Sequence, residues 1–371
     1  MTTPAIVPAY SFTARNARVK EEMRAAFDEF YESEHYVLGA KTRAFEKAFA
    51  RFCQTRHAVG VSNGLDALHL ALLALGVGEG DEVIVPSNTY IATVLAVSYV
   101  GATPIFVEPR LGSYNLDPTR IESALTARTK AIMVTHLYGQ ACEMAAVMDI
   151  ARRRGLYVVE DNAQAQGATY DGKVTGSFGD VNATSFYPTK NVGALGEAGA
   201  ITTDSETHAA AIRTLRNYGS SQRYHNDRVG YNRRIDELQA AFLLVILEHV
   251  GHWTEERRAI AARYTEQLAD LDPALALPVV AEGCAPVWHQ YVVRVGERDG
   301  LRARLRDVGV GTQIHYPIPP HLQACYAELG FGPGDFPIAE QISRECLSLP
   351  MYPGLTAEQV DRVCAAIRAK L

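Results

Sequence analysis

The chain has 371 residues, 47% hydrophobic and 21% charged, which is ordinary for a soluble globular protein and long enough for a large domain with a smaller companion. A formal charge of −6 gives no electrostatic reason to expect nucleic acid or an anionic membrane as a partner. Residues 240–247 are apolar but fall far short of the ~18 residues of a membrane span. The six cysteines show no metal-type spacing and Met1-Thr2-Thr3-Pro4 opens no secretory signal, so the expectation is a reduced cytoplasmic protein without metal.

Two helical stretches, residues 17–31 and 41–51, come first and are expected to pack near a smaller domain or against a partner subunit. From about Val59 to Thr203, short β-rich runs alternate with helices. The helix over 65–75 places Leu65, Leu68, Leu72 and Leu75 on one face, and Gly76, Gly78 and Gly80 turn it into the next strand. Strands are expected at 83–85, 105–107, 132–134, 156–159, 182–185 and 200–202. Continuous apolar strands between amphipathic helices indicate a mostly parallel sheet covered on both faces. A long helix from Ile235 to about Leu268 follows, long enough to bridge two domains. Beyond Pro273 come a strand at 290–295, a helix at 301–308, a Pro-rich loop at 315–320 and a closing helix at 356–370. This divides the chain into a large α/β domain over 1–250 and a small α+β domain over 251–371.

Several strand ends and helix starts carry chemistry. In Ser62-Asn63-Gly64-Leu65-Asp66-Ala67, a small turn opens a helix, so the N–H groups of Gly64 and Leu65 offer a site for a phosphate dianion. A plain helix capped by Ser62 or Asn63 explains the same residues. Tyr90, after the strand at 83–85, lies at the carboxyl edge where open α/β sheets bind ligands and could stack on a planar ring; a surface-turn aromatic is the alternative.

Asp161, in Glu160-Asp161-Asn162-Ala163-Gln164, could hold a proton on a ring nitrogen or could cap a helix over 162–166. Gln164 could contact the ring face or its phenolic oxygen. Ser185 lies just upstream of Lys190 in Ser185-Phe186-Tyr187-Pro188-Thr189-Lys190-Asn191 and could bind a phosphate. Lys190 could form a Schiff base and then, as a free amine, move a proton. A lysine and a carboxylate are the two groups that pyridoxal phosphate chemistry most needs from a protein.

With Gly230-Tyr231-Asn232-Arg233-Arg234-Ile235-Asp236-Glu237-Leu238-Gln239-Ala240 added, these segments resemble the DegT/DnrJ/EryC1/StrS family of nucleotide-sugar aminotransferases over nearly the whole chain. The resemblance implies aminotransferase fold type I, with a mostly parallel seven-stranded sheet flanked by helices. It implies pyridoxal 5'-phosphate as cofactor and pyridoxamine 5'-phosphate as the amine carrier. Lys190 would hold the aldehyde, Asp161 the pyridine nitrogen, Gln164 and Tyr90 the ring, and Gly64, Leu65 and Ser185 the phosphate. Asn232 would reach the phosphate in the neighbouring subunit, so the active sites of a homodimer would be shared.

Tyr114-Asn115-Leu116-Asp117-Pro118, His136-Leu137-Tyr138-Gly139-Gln140, Ile314-His315-Tyr316-Pro317 and Leu347-Ser348-Leu349-Pro350 resemble the branch that aminates C3 of dTDP-linked 3-keto-6-deoxyhexoses. That branch implies L-glutamate as donor, His315, Tyr316 and Tyr187 about the sugar, and a place in antibiotic, O-antigen or S-layer sugar biosynthesis. His315 has a second reading as a loop histidine bound to backbone.

The alternatives are a 4-keto-sugar aminotransferase, a sugar dehydratase and a non-catalytic cofactor-binding regulator. Relatives with dehydratase activity carry histidine where Lys190 stands, and a regulator would usually bring a basic DNA-binding segment, which this chain lacks. Arg216, Arg223, Arg233 and Arg234 are candidates for the glutamate carboxylates and the diphosphate.

Overall fold

The computed structural model describes residues 6–371. Seven strands form the central sheet: β1 (His57–Val61), β2 (Glu82–Pro86), β3 (Thr103–Val107), β4 (Thr129–Thr135), β5 (Tyr157–Asp161), β6 (Val181–Ser185) and β7 (Gly199–Thr203). Their spatial order is β1-β7-β6-β5-β4-β2-β3. The five strands from β6 to β3 run parallel, while β7 is antiparallel to both β6 and β1. The mostly parallel seven-stranded sheet read from the sequence is the one observed.

The strands read as unbroken apolar runs because each face has its own helical cover. Val83, Val85, Ala131 and Met133 join a core with α3 (Gly64–Ala74) and α4 (Ile91–Tyr99). Ile84, Ile132, Val134 and Val158 point the other way, into a core with α5 (Met144–Arg154). The turn from α3 to β2 uses Gly76 and Gly80 at φ +69° and +86°.

The opening helices, α1 (Thr13–Glu32) and α2 (Ala40–Phe52), pack with Ala58, Ala198 and Ala200 at the antiparallel edge of the sheet. Phe45 and Phe49 of α2 meet Phe186 edge-on at 5.4 and 5.0 Å, which anchors the loop that carries Lys190. After α6 (Glu206–Leu215), α7 (Glu237–Leu268) runs 32 residues through position 250 and changes core on the way. Leu243, Ile246, Val250 and Trp253 pack with α1 and α2. Ile260, Ala261, Tyr264 and Leu268 pack with the strand pair Tyr291–Arg294 and Cys346–Leu349 and with the last helix, Ala357–Lys370.

Two details refine the sequence reading. The strand read over 156–159, with Asp161 at its end, spans Tyr157–Asp161, and Asp161 itself pairs with β4 and β6. Glu237, a polar residue at the start of an apolar helix, is 2% exposed. Its carboxylate accepts hydrogen bonds from the N–H groups of Gly39 (2.8 Å), Lys41 (2.5 Å) and Thr42 (3.1 Å) and from the Thr42 hydroxyl (2.6 Å). It therefore serves as the N-terminal cap of α2 from far along the chain, satisfying donors that have no intrahelical acceptor. Glu237→Ala is expected to lower the unfolding free energy by about 2–4 kcal/mol, since buried donors are left unpaired. Urea denaturation of both proteins at pH 7 measures this; an unchanged midpoint would remove Glu237 from that role.

Candidate active site

The carboxyl ends of β2, β5 and β6 face one edge of the sheet, and the candidate residues gather there. Lys190 follows β6 in a turn closed by its own N–H to the Tyr187 carbonyl at 2.8 Å. Ala194 N–H bonds Phe186 O, and Phe186 N–H bonds Ala198 O, each at 2.8 Å, so the loop is fixed at both ends. The crowded surroundings of the Lys190 amine push its pKa down to about 8, against the opposing pull of Asp161.

Asp161 ends β5 and is buried. Thr93 Oγ1 donates to its Oδ2 at 2.7 Å, and Ala163 N–H donates to its Oδ1 at 3.1 Å. Burial pushes the carboxyl pKa up, while Thr93, Ala163 N–H, Lys190 and His136 pull it down. No helix follows Asp161, so it caps a turn rather than a helix.

The start of α3 satisfies both readings of its sequence. Asn63 is the cap, its Oδ1 accepting from Asp66 N–H at 2.8 Å. That bond leaves the first-turn N–H groups of Gly64 and Leu65 without an intrahelical acceptor. A Cβ on Gly64 would sit 2.5 Å from Ser185 Cβ and 3.1 Å from its hydroxyl, so only glycine lets the helix start come this close to β6. Ser185 Oγ accepts from Tyr187 N–H at 3.2 Å, which leaves its own hydrogen free to point elsewhere. A helix start and a hydroxyl in contact form a cradle suited to a phosphate dianion.

Tyr90, the residue before α4, is 50% exposed, and its ring centroid lies 5.1 Å from that of Tyr316. Gln164 accepts Tyr138 N–H through Oε1 at 2.7 Å, which turns its Nε2 to donate to the Tyr316 hydroxyl at 3.1 Å. The His315 ring pairs through Nδ1 with Ser348 Oγ at 2.8 Å, so its partner is a side chain rather than backbone. Burial and the nearby Lys190 push the His315 pKa down to about 4. Tyr187 is exposed on the Lys190 loop. Asn232 is also exposed, on a segment paired with Asn217 beside the first turn of α3.

The candidate arginines divide. Arg216 is buried and bonds Glu46 and the Gly60 carbonyl, each at 2.5 Å, which makes it a structural cation and corrects its candidacy as a ligand group. Arg233 is held by Asp66 at 2.9 Å, and Arg234 by Asn217 at 3.0 Å. Arg223 lies over the ring of Tyr224.

Sequence reasoning missed Thr93, whose bond to Asp161 spans 68 residues and leaves no local signal. It also missed His289, which is buried with Nδ1 against Asn191 Oδ1 at 3.2 Å. Burial first, then Lys190, Arg257 and His315, hold the His289 pKa well below its usual value. Among the described residues there is no group of three or more His, Cys, Asp or Glu placed to hold a metal, and no helix is long and apolar enough to cross a membrane.

A desolvated lysine, a buried carboxylate and a phosphate cradle on one sheet edge fit pyridoxal phosphate, and together with the fold they define a pyridoxal phosphate-dependent aminotransferase. The chain belongs to the DegT/DnrJ/EryC1/StrS aminotransferase family, whose model matches residues 17–368. It is 48% identical over 362 residues to the dTDP-3-amino-3,6-dideoxy-alpha-D-galactopyranose transaminase of Aneurinibacillus thermoaerophilus, covering 98% of this chain and 99% of the relative. It is 47% identical to the dTDP-3-amino-3,4,6-trideoxy-alpha-D-glucose transaminase of Streptomyces venezuelae, covering 98% and 95%. The crystal structure of S. venezuelae DesV in complex with a ketimine intermediate superposes with a TM-score of 0.96 at 46% identity, covering 98% of each chain.

The depressed Lys190 pKa gives a titration that needs no cofactor. Deprotonation makes the amine reactive, so pulse acetylation of Lys190 in cofactor-free protein should rise with pH to a midpoint near 8. An ordinary lysine would keep rising toward about 10.4. Mass spectrometry of the peptide reads the difference, and a midpoint above 10 would contradict the burial argument.

Proposed function

We propose that this enzyme transfers the amino group of L-glutamate to C3 of a dTDP-linked 3-keto-6-deoxyhexose. The observation that carries the reading is the placement of Lys190 and the buried Asp161 near enough to influence each other's ionisation, beside the Gly64–Ser185 cradle. The sugar and its position are supported by the two relatives named for dTDP-3-amino sugars, which match from end to end.

Pyridoxal phosphate, when bound, supplies an aldehyde that takes up the amine and a ring that withdraws electrons from the reacting carbon. The protein supplies the rest. Gly64 and Leu65 N–H groups and the Ser185 hydroxyl hold the phosphate, and Asp161 keeps a proton on the ring nitrogen. Gln164 and Tyr90 position the ring. Lys190 Nζ, with a pKa of about 8, is neutral in a useful fraction near neutral pH and so can accept a proton and return it. Tyr187, His315 and Tyr316 line the space for the sugar; a neutral His315 can share a hydrogen bond with a sugar hydroxyl without bringing a charge into it.

In this reading Asn232 serves the phosphate of the other protomer in a homodimer, which its exposure supports. The parts over 1–250 and 251–371 act as large and small domains, supported by the change of core along α7. The enzyme works in the cytoplasm, where nucleotide-linked sugars are made for antibiotics or for O-antigen or S-layer glycans.

The direct test is incubation with dTDP-3-keto-6-deoxyhexoses of both C4 configurations and L-glutamate, with NMR of the product. An amine on C3 is expected; an amine on C4 would overturn the regiochemistry. Lys190→Ala should lose at least about three orders of magnitude in turnover, the combined size of lost covalent and proton-transfer catalysis, while still binding cofactor. Robust multiple turnover by that variant would refute the lysine's role. Asn232→Ala should weaken cofactor retention by about tenfold, the worth of one hydrogen bond to a charged group. A fully active monomer in sedimentation would exclude a shared site.

A further inference from the structure

Behind Asp161 lies a cluster of three threonine hydroxyls that the reaction outlined above does not use. Thr89 follows β2, Thr93 sits in the first turn of α4, and Thr135 ends β4; their exposures are 2%, 0% and 4%. Thr93 Oγ1 is 2.7 Å from Asp161 Oδ2 and 2.7 Å from Thr89 Oγ1, and Thr89 Oγ1 is 3.0 Å from Thr135 Oγ1. The direct Thr93–Thr135 separation is longer, 3.4 Å.

Hydrogen-bond bookkeeping gives this cluster a direction. An ionised carboxylate only accepts, so Thr93 must give its one hydrogen to Asp161. The short contact to Thr89 can then be filled only by the Thr89 hydrogen, and the next contact by that of Thr135. Each hydroxyl polarises the one before it, and the chain ends at the anion. The first turn of α4, where Thr93 stands, adds the positive end of a helix dipole.

We propose that Thr135, Thr89 and Thr93 form a directed hydroxyl chain that holds the Asp161 carboxylate as an oriented anion. The chain makes all three positioning residues. Thr93 Oγ1 and Ala163 N–H each occupy one carboxylate oxygen and leave lone pairs on both for a ring N–H. The proposal rests on the assignment of Asp161 to the pyridine nitrogen and deepens it.

The titratable groups around this carboxylate are Lys190 after β6, His136 after β4 and Tyr316 from the C-terminal part of the chain. His136 is directed elsewhere: its Nδ1 accepts Cys142 N–H at 3.0 Å, so its Nε2–H faces Glu160, at 2.7 Å. That leaves Thr93 as the side-chain donor on Asp161. The direction of the effect follows: burial raises the carboxyl pKa and the Thr93 bond lowers it, so losing the bond moves protonation to higher pH.

The test uses the full chain, stripped of cofactor and labelled with 13C at aspartate carboxyls, with the Asp161 signal assigned by its loss in Asp161→Asn. Thr93→Val should raise the titration midpoint by about one unit, a tenfold gain in proton affinity. Thr93→Ser should restore the native midpoint, and Thr89→Val should give a smaller rise of the same sign. Loaded with pyridoxal phosphate, Thr93→Val should release cofactor at higher pH than the native enzyme on acidification. A lower melting temperature with an unmoved Asp161 titration in Thr93→Val would overturn the proposal, leaving a packing role. If that variant does not fold, a native midpoint in Thr89→Val would overturn the chain. Failure of the Asp161 assignment would show separately, as full activity in Asp161→Asn.

Discussion

Asp161 and Lys190 are ionisable groups of opposite sign at a buried sheet edge: burial raises the carboxyl pKa and lowers that of the amine, and each group opposes the shift of the other. Desolvation alone would protonate the carboxyl and deprotonate the amine, so the active site balances a burial cost against a set of directed donors. The carboxyl has Thr93 and Ala163 N–H; the amine has only Asp161 working against its burial. An amine poised near neutrality and an anion held in place are therefore two outcomes of the same constraint. Both depend on β5 and β6 ending side by side, with Asp161 paired to Ala183 in the parallel register.

The framework around them serves that register. α3 comes so close to Ser185 that no side chain fits at position 64, which puts the helix start at the same edge as the two ionisable groups. Phe45, Phe49 and Phe186 anchor the Lys190 loop from the opposite side. The far part of the chain closes the site. Val287 N–H bonds Gly139 O at 2.9 Å and Gln290 N–H bonds Tyr138 O at 3.2 Å, which seats the His289 segment against the sheet edge. From the same side, Tyr138 donates to the His315 carbonyl, so His315 and Tyr316 are positioned by a residue of the large sheet's own edge.

Much of this was legible in the sequence, for physical reasons. Parallel strands buried on both faces must be apolar throughout, so 83–85, 105–107 and 132–134 stood out with errors of only a few residues at their ends. Lys190, Asp161 and Gly64 stood out because each falls where a periodic element begins or ends, and the fold brings all three to one sheet edge. What stayed hidden is contact between distant positions. Thr93 bonds Asp161 across 68 residues, and Glu237 caps α2 across nearly 200, and neither leaves a periodic trace in the chain. Arg216 misled for the converse reason: a cation near a phosphate motif reads as a ligand until Glu46 is seen beside it.

The most direct measurement of the central claim is borohydride reduction of the resting, cofactor-loaded enzyme, followed by peptide mapping. The account predicts a pyridoxyl group fixed to the side-chain nitrogen of Lys190 and to no other lysine. A reduced adduct on a different residue, or none on a sample shown to hold cofactor, would contradict it.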